Sequence, residues 1–179
     1  MKEPFGTLPS GETATLFILS RGRLTAAVTD YGATLVRLYV PDAEGKLADV
    51  VLGYDDCNGY RTANGACLGA TVGRNANRLK NASFILNGQR ISLKENDGAN
   101  NLHSGPDYFH LRLWKTIDHS DTSVTFELTS PDGDQGFPGN AVIRVTYELD
   151  STGGLHIVYD AVSDQDTVFN MTNHSYFNL

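Results

Sequence analysis

Apolar and polar residues alternate along most of the chain, and no window sustains the i, i+3, i+4, i+7 spacing of an amphipathic helix. The pattern predicts an all-β protein. Over residues 141–149, Ala141, Ile143, Val145, Tyr147 and Leu149 share one face, while Arg144, Thr146 and Glu148 share the other. That is the expectation for a half-buried strand in an antiparallel sheet. Residues 124–128 and 155–160 alternate likewise, with Leu155, Ile157 and Tyr159 inward and His156 outward in the second run. Asn87-Gly88, between Ser83-Phe84-Ile85-Leu86 and Arg90-Ile91-Ser92-Leu93, predicts a two-residue hairpin, because a type I′ turn needs positive φ twice. Ser151-Thr152-Gly153-Gly154 joins 141–149 to 155–160 in a similar way. Further strands are predicted at 15–19, 24–28, 34–40 and 50–53. Strands at this spacing, punctuated by turns, describe a sandwich or a barrel. Two long segments, 55–81 and 95–113, fit neither strands nor compact turns, and connections of that length usually carry function. With no repeat, low-complexity tract or interior linker, residues 1–179 are expected to form a single domain.

Composition removes several function classes. At 179 residues and 40% hydrophobic content the chain can bury one core without disulfides or metals, which excludes intrinsic disorder. The 14 Lys and Arg stand against 21 Asp and Glu, a net charge of −7, and the densest basic cluster is Arg74, Arg78 and Lys80. Nucleic acid and anionic membrane surfaces, which reward clustered cations, are poor partners for such a chain. A neutral or cationic small ligand suits it better. Cys57 and Cys67 form neither a disulfide framework nor a C-x-x-C pair, so a reducing compartment is expected. The first residues lack an apolar signal core and no stretch reaches the length of a membrane span, which predicts a cytoplasmic protein.

Three polar motifs interrupt the alternation. Gly73-Arg74-Asn75-Ala76-Asn77-Arg78 has one glycine and no following helix pattern, so it is no phosphate cradle. Its donors suit a polyhydroxylated ligand, or equally serve to staple loops through backbone carbonyls. Asn100-Asn101-Leu102-His103-Ser104-Gly105 places a histidine among small polar residues, where it can orient a hydroxyl or move a proton. Asn170-Met171-Thr172-Asn173-His174-Ser175-Tyr176-Phe177-Asn178 is unusually polar for its surroundings and makes His174 the best catalytic candidate. His110, His119 and His156 receive no role. The sequence lacks the H-x-H, H-E-x-x-H and paired-Cys patterns of zinc sites and the G-x-S-x-G elbow of serine hydrolases. No metal is expected, and acid–base chemistry on a neutral ligand remains.

In order, these motifs resemble those of the aldose 1-epimerase (galactose mutarotase) family. The similarity extends through Tyr31-Gly32-Ala33-Thr34-Leu35, Pro41-Asp42 and Asp49-Val50-Val51-Leu52-Gly53-Tyr54, and through Ser130-Pro131-Asp132-Gly133-Asp134-Gln135-Gly136-Phe137-Pro138-Gly139, which looks like the family's S-P-D-G-x-x-G-[YF]-P-G loop. One departure is that the family's usual G-F-D-K is here Tyr108-Phe109-His110-Leu111.

The resemblance implies a galactose-mutarotase-like antiparallel β-sandwich, a supersandwich, incomplete at the C-terminus. It implies an isomerase interconverting the α and β anomers of a free aldohexose, glucose or galactose, with no cofactor. Carried over, His174 looks like the proton donor to the ring oxygen and His103 like a substrate-binding partner near that oxygen. Asn77 and Arg78 resemble ligands of the sugar hydroxyls, while Ser175 and Tyr176 complete the pocket wall. The family's glutamate base and a sugar-holding aspartate would follow the N-H-S-Y-F-N-L motif, where this sequence stops. The expectation is therefore an N-terminal portion of such an enzyme, with exposed apolar surface and an unpaired edge near 167–179. A non-catalytic carbohydrate-binding sandwich and an inactive fragment are the alternatives, and an epimerase of sugar phosphates ranks below them for want of basic residues. A homodimer stays open.

Overall fold

The strongest alternation becomes the centre of two antiparallel sheets. In the computed structural model, which describes residues 1–63 and 66–179, the first sheet has the order β1 (Lys2–Thr7), β2 (Thr13–Arg21), β3 (Leu24–Thr29), β4 (Thr34–Pro41) and β5 (Leu47–Asp49). A short helix, α1 (Cys57–Thr62), and the brief strands β6 (Thr71–Val72) and β7 (Arg78–Leu79) follow. The hairpin β8 (Ser83–Leu86) and β9 (Gln89–Ser92) turns at Asn87 and Gly88, with φ of 49° and 78°, and β10 (Asn101–Leu102) comes next. The second large sheet has the order β11 (Lys115–His119), β12 (Ser123–Ser130), β13 (Ala141–Leu149) and β14 (Leu155–Ser163). Last is β15 (Thr172–Asn173).

The main core lies between the two sheets. Phe17, Leu19, Val28 and Leu35 of the first meet Val124, Phe126, Ile143, Val145 and Tyr147 of the second. The other face of the first sheet is buried too: Ala14, Leu16, Ala27 and Val36 pack with Phe5 and with Cys57 of α1. This is the all-β sandwich that the alternation predicts.

Four expectations need correction. The strand predicted at 50–53 is absent; the ladder ends at Asp49, whose carboxylate accepts the backbone N–H of Leu38 and of Val51 at 3.0 and 3.1 Å. Val51 then makes one isolated bridge, to Phe177. The segment 55–81, apart from Asn64 and Gly65, which lie outside the described residues, holds α1, too short to show a helical period. Asp56 caps it by accepting the Gly59 N–H at 2.9 Å. The edge strands β1 and β11 carry Pro4, Gly6 and charged residues, so their alternation is weak. Finally, the unpaired edge is not confined to 167–179: β15 pairs on one side with β6, and β14 also ends its sheet without a neighbour among the described residues. Apolar exposure does occur near the end, at Phe177 and Leu179, but also at Val158 and Val162 of β14. Among the described residues no helix is long and apolar enough to cross a membrane.

Candidate functional site

The first motif is the hinge that joins the other two. It connects β6, paired with β15 through Val72↔Thr172 and Thr71↔Asn173, to β7, paired with β10 through Arg78↔Leu102 and Leu79↔Asn101. His174 follows β15 and His103 follows β10, so two histidines 71 positions apart in sequence arrive on one wall. Their rings meet edge to face, with centroids 5.2 Å apart and planes at 85°. The Tyr176 ring centroid also lies 5.3 Å from that of His174.

His103 is fixed by Asn77. The Asn77 backbone N–H donates to His103 Nδ1 at 3.0 Å, and the His103 N–H donates back to the Asn77 carbonyl at 3.1 Å. A ring nitrogen that accepts carries no proton, so His103 is neutral with its proton on Nε2. Burial pushes the His103 pKa down, and the neighbouring His174 and Arg78 charges add to the effect. Asn77, His103 and Ser104 all adopt positive φ, at 66°, 55° and 60°, in the left-handed region that non-glycine residues seldom occupy. Such a cluster is often found where a site constrains its backbone.

Arg78 is exposed, and its Nε donates to Asp97 at 2.6 Å; the terminal guanidinium nitrogens have no partner among the described residues. Arg74 is different in every respect. It is fully buried and donates to the carbonyls of Ser130, Pro131, Pro138 and Gly139, to the Ser130 hydroxyl and to Thr167 Oγ1. Arg74 therefore staples the 130–139 loop, and the motif divides into a structural half and a half that faces the histidines. Ser104 is structural as well, exchanging hydrogen bonds with the Asn75 backbone. Ser175 has a buried Oγ without a partner among the described residues, and Tyr176 is exposed beside His174.

This assembly can be set beside known proteins. The family model described as "Aldose 1-epimerase" matches residues 15–179. The chain belongs to the aldose 1-epimerase family. It is 38% identical over 172 residues to an aldose 1-epimerase of Escherichia coli (strain K12), covering 96% of this chain and 49% of that protein. Against a galactose mutarotase of Bos taurus it is 42% identical over 176 residues, covering 98% and 51%. The crystal structure of a GalM/aldose epimerase homologue from C. elegans superimposes with a TM-score of 0.86 at 36% identity, covering 92% of this chain and 50% of that one. The chain thus spans about half the length of the curated relatives it matches. The fold is the galactose-mutarotase-like antiparallel one.

Some residues of this family member escape sequence reasoning. Asp97 holds Arg78, but it sits 19 positions away in a long loop with nothing to single it out. A cavity of about 280 Å³ opens beside His103, lined also by Tyr54, Tyr60, Cys67, Tyr108 and His110. Tyr108 and His110 belong to the stretch that departs from the family's G-F-D-K, and that departure is the signal that could have found them. Burial lowers the His110 pKa to about 4, with His103 and His174 adding to the shift, and burial raises that of Cys67, whose Sγ lies 3.8 Å from each His110 ring nitrogen. Both groups are neutral near pH 7, so the two do not form a thiolate–imidazolium pair.

Proposed function

We propose that this chain carries the histidine half of a mutarotation site for a free aldohexose such as galactose or glucose. The reading rests on the edge-to-face pair of His103 and His174, one ring of which has its tautomer set by the Asn77 backbone. Ring opening breaks the C1–O5 bond: O5 gains a proton, the anomeric hydroxyl loses one, and a C1 carbonyl forms. Rotation about C1–C2 and the reverse step give the other anomer. In this reading His174 supplies the proton to O5, solvent water accepts the proton of the anomeric hydroxyl, and His103 donates from Nε2 to an oxygen of the sugar. The open end of the Arg78 guanidinium and the Asn77 side chain hold hydroxyls. No cofactor is required, since the reaction consists of proton transfers, for which a positioned group such as His174 is worth about 10²–10⁴ in rate. A location in the cytoplasm accords with this chemistry.

Among the described residues no carboxylate hydrogen-bonds to either ring. That observation favours a second reading, in which this chain recognises the sugar without turning it over. Polarimetry of α-D-galactose, paired with calorimetric titration of the same sugar, separates the two. Catalysed mutarotation that falls at least ~10²-fold in His174→Gln supports the first reading. Saturable binding with no catalysis, weakened in Arg78→Met, supports the second. If neither galactose nor glucose binds or mutarotates faster, both readings fail.

A further inference from the structure

We infer that Tyr147 is a positioning residue for His174 and acts through the side chain of Asn173. The inference deepens the reading that His174 meets the sugar, but it can be tested without that reading.

The inward face of β13 is Ala141, Ile143, Val145, Tyr147 and Leu149, so the Tyr147 hydroxyl is the one polar side-chain group in an apolar stripe. Packing alone would be served by phenylalanine. Burial pushes the Tyr147 pKa up to about 12, so the hydroxyl keeps its proton and must place it. It donates to the Ala33 carbonyl at 2.7 Å and accepts from Asn173 Nδ2 at 3.2 Å. Ala33 belongs to the turn before β4, in the opposite sheet, and its carbonyl also accepts from Thr71 Oγ1 at 2.9 Å. The Tyr147 hydroxyl is therefore anchored to both sheets.

Asn173 passes that anchorage to His174. Its Nδ2 also donates to the Gly69 carbonyl at 2.8 Å, and its Oδ1 accepts the Ser175 N–H at 3.0 Å. One amide thus grips the residue after His174 and the loop that borders it. That loop holds the His174 backbone on both sides, with the His174 N–H donating to the Ala70 carbonyl at 2.9 Å and the Gly69 N–H donating to the His174 carbonyl at 3.1 Å. A two-residue strand is too short to fix a side chain by ladder bonds, so the Tyr147–Asn173 link supplies what β15 lacks. Tyr159 of β14 provides a contrast, since its buried hydroxyl makes no hydrogen bond to Asn173.

The test uses the whole chain in three variants, Tyr147→Phe, Asn173→Ala and Tyr159→Phe. Nuclear Overhauser contacts between the His103 and His174 rings and the pH titration of the His174 ring nitrogens are recorded for each, alongside denaturation and D-galactose response. Tyr147→Phe should stay folded, weaken the inter-ring contacts at least ~2-fold, alter the His174 titration and reduce galactose binding or turnover about tenfold, since small misplacements at a site are costly. Asn173→Ala should do the same, and it decides the matter if Tyr147→Phe fails to fold. Tyr159→Phe should leave the rings unmoved. Inter-ring contacts and titration like those of the unaltered chain in folded Tyr147→Phe overturn the inference, and in Asn173→Ala they overturn it even if Tyr147→Phe fails to fold. If the unaltered chain ignores galactose, the mutarotase reading falls while the ring measurements still decide the positioning role.

Discussion

Arg74 and Arg78 are four positions apart, and their surroundings give the same side chain opposite energetic weight. Arg74 is fully buried, and its guanidinium donates to the carbonyl oxygens of Ser130, Pro131, Pro138 and Gly139, of which Pro131 also accepts the Asp134 N–H. Arg74→Met is expected to cost about 3–5 kcal/mol in chemical denaturation, because it strands several buried acceptors at once. Arg78→Met removes an ion pair whose arginine side chain is 57% exposed, and its stability effect should stay within about 1 kcal/mol. Equal losses in the two variants would contradict the division of the motif. Sequence left this question at even balance, since arginine donors serve a carbonyl and a sugar hydroxyl alike. Burial decided it.

At the level of elements, the site depends on strands of two residues, β6, β7, β10 and β15, which no periodicity can reveal. They are placed by close backbone approach. Gly69 has φ of +62°, and a Cβ there would lie 1.9 Å from the Leu35 carbonyl oxygen. Its own N–H and carbonyl hold His174 and Asn173. Gly69→Ala is therefore expected to destabilise by more than about 2 kcal/mol and to lower the melting temperature, combining a steric overlap with a strained φ. An unchanged melting temperature would show that the Leu35 contact is dispensable. The long strands β12, β13 and β14 and the Asn87-Gly88 hairpin were legible because alternation and turn chemistry are local properties. The edge strands β1 and β11 were not, because edges carry the polar and turn-forming residues that blur alternation.

For the whole molecule, two buried groups set opposing slopes of stability against pH. Burial raises the Asp30 pKa from 3.8 to about 6, against the opposing bond from the Thr15 N–H. Between those values the folded state binds more protons, so Asp30 makes the protein more stable as pH falls through that window. His110 runs the other way: its pKa falls from 6.5 to about 4, the unfolded chain binds more protons, and stability is lost on acidification. His103, also lowered, acts in the same sense as His110. Asp30 and His110 roughly offset each other, so His103 leaves unfolding free energy falling modestly as pH drops from about 6 to 4 in the unaltered chain. That fall should shrink or reverse in His110→Gln and steepen in Asp30→Asn. Denaturation midpoints for the three proteins across that range check the signs, and identical profiles would contradict the assignment.

By itself the sequence determined the strand pattern, the two hairpins, the antiparallel class and the identity of the polar residues, because each follows from alternation, turn chemistry or residue type. Tertiary structure alone decided which polar residues act together. The edge-to-face contact of His103 and His174, the tautomer imposed by Asn77, the capture of Arg78 by Asp97 and the placing of Tyr147 beneath Asn173 all join residues far apart in the chain. Such contacts depend on register and burial across several elements, and no local pattern encodes either.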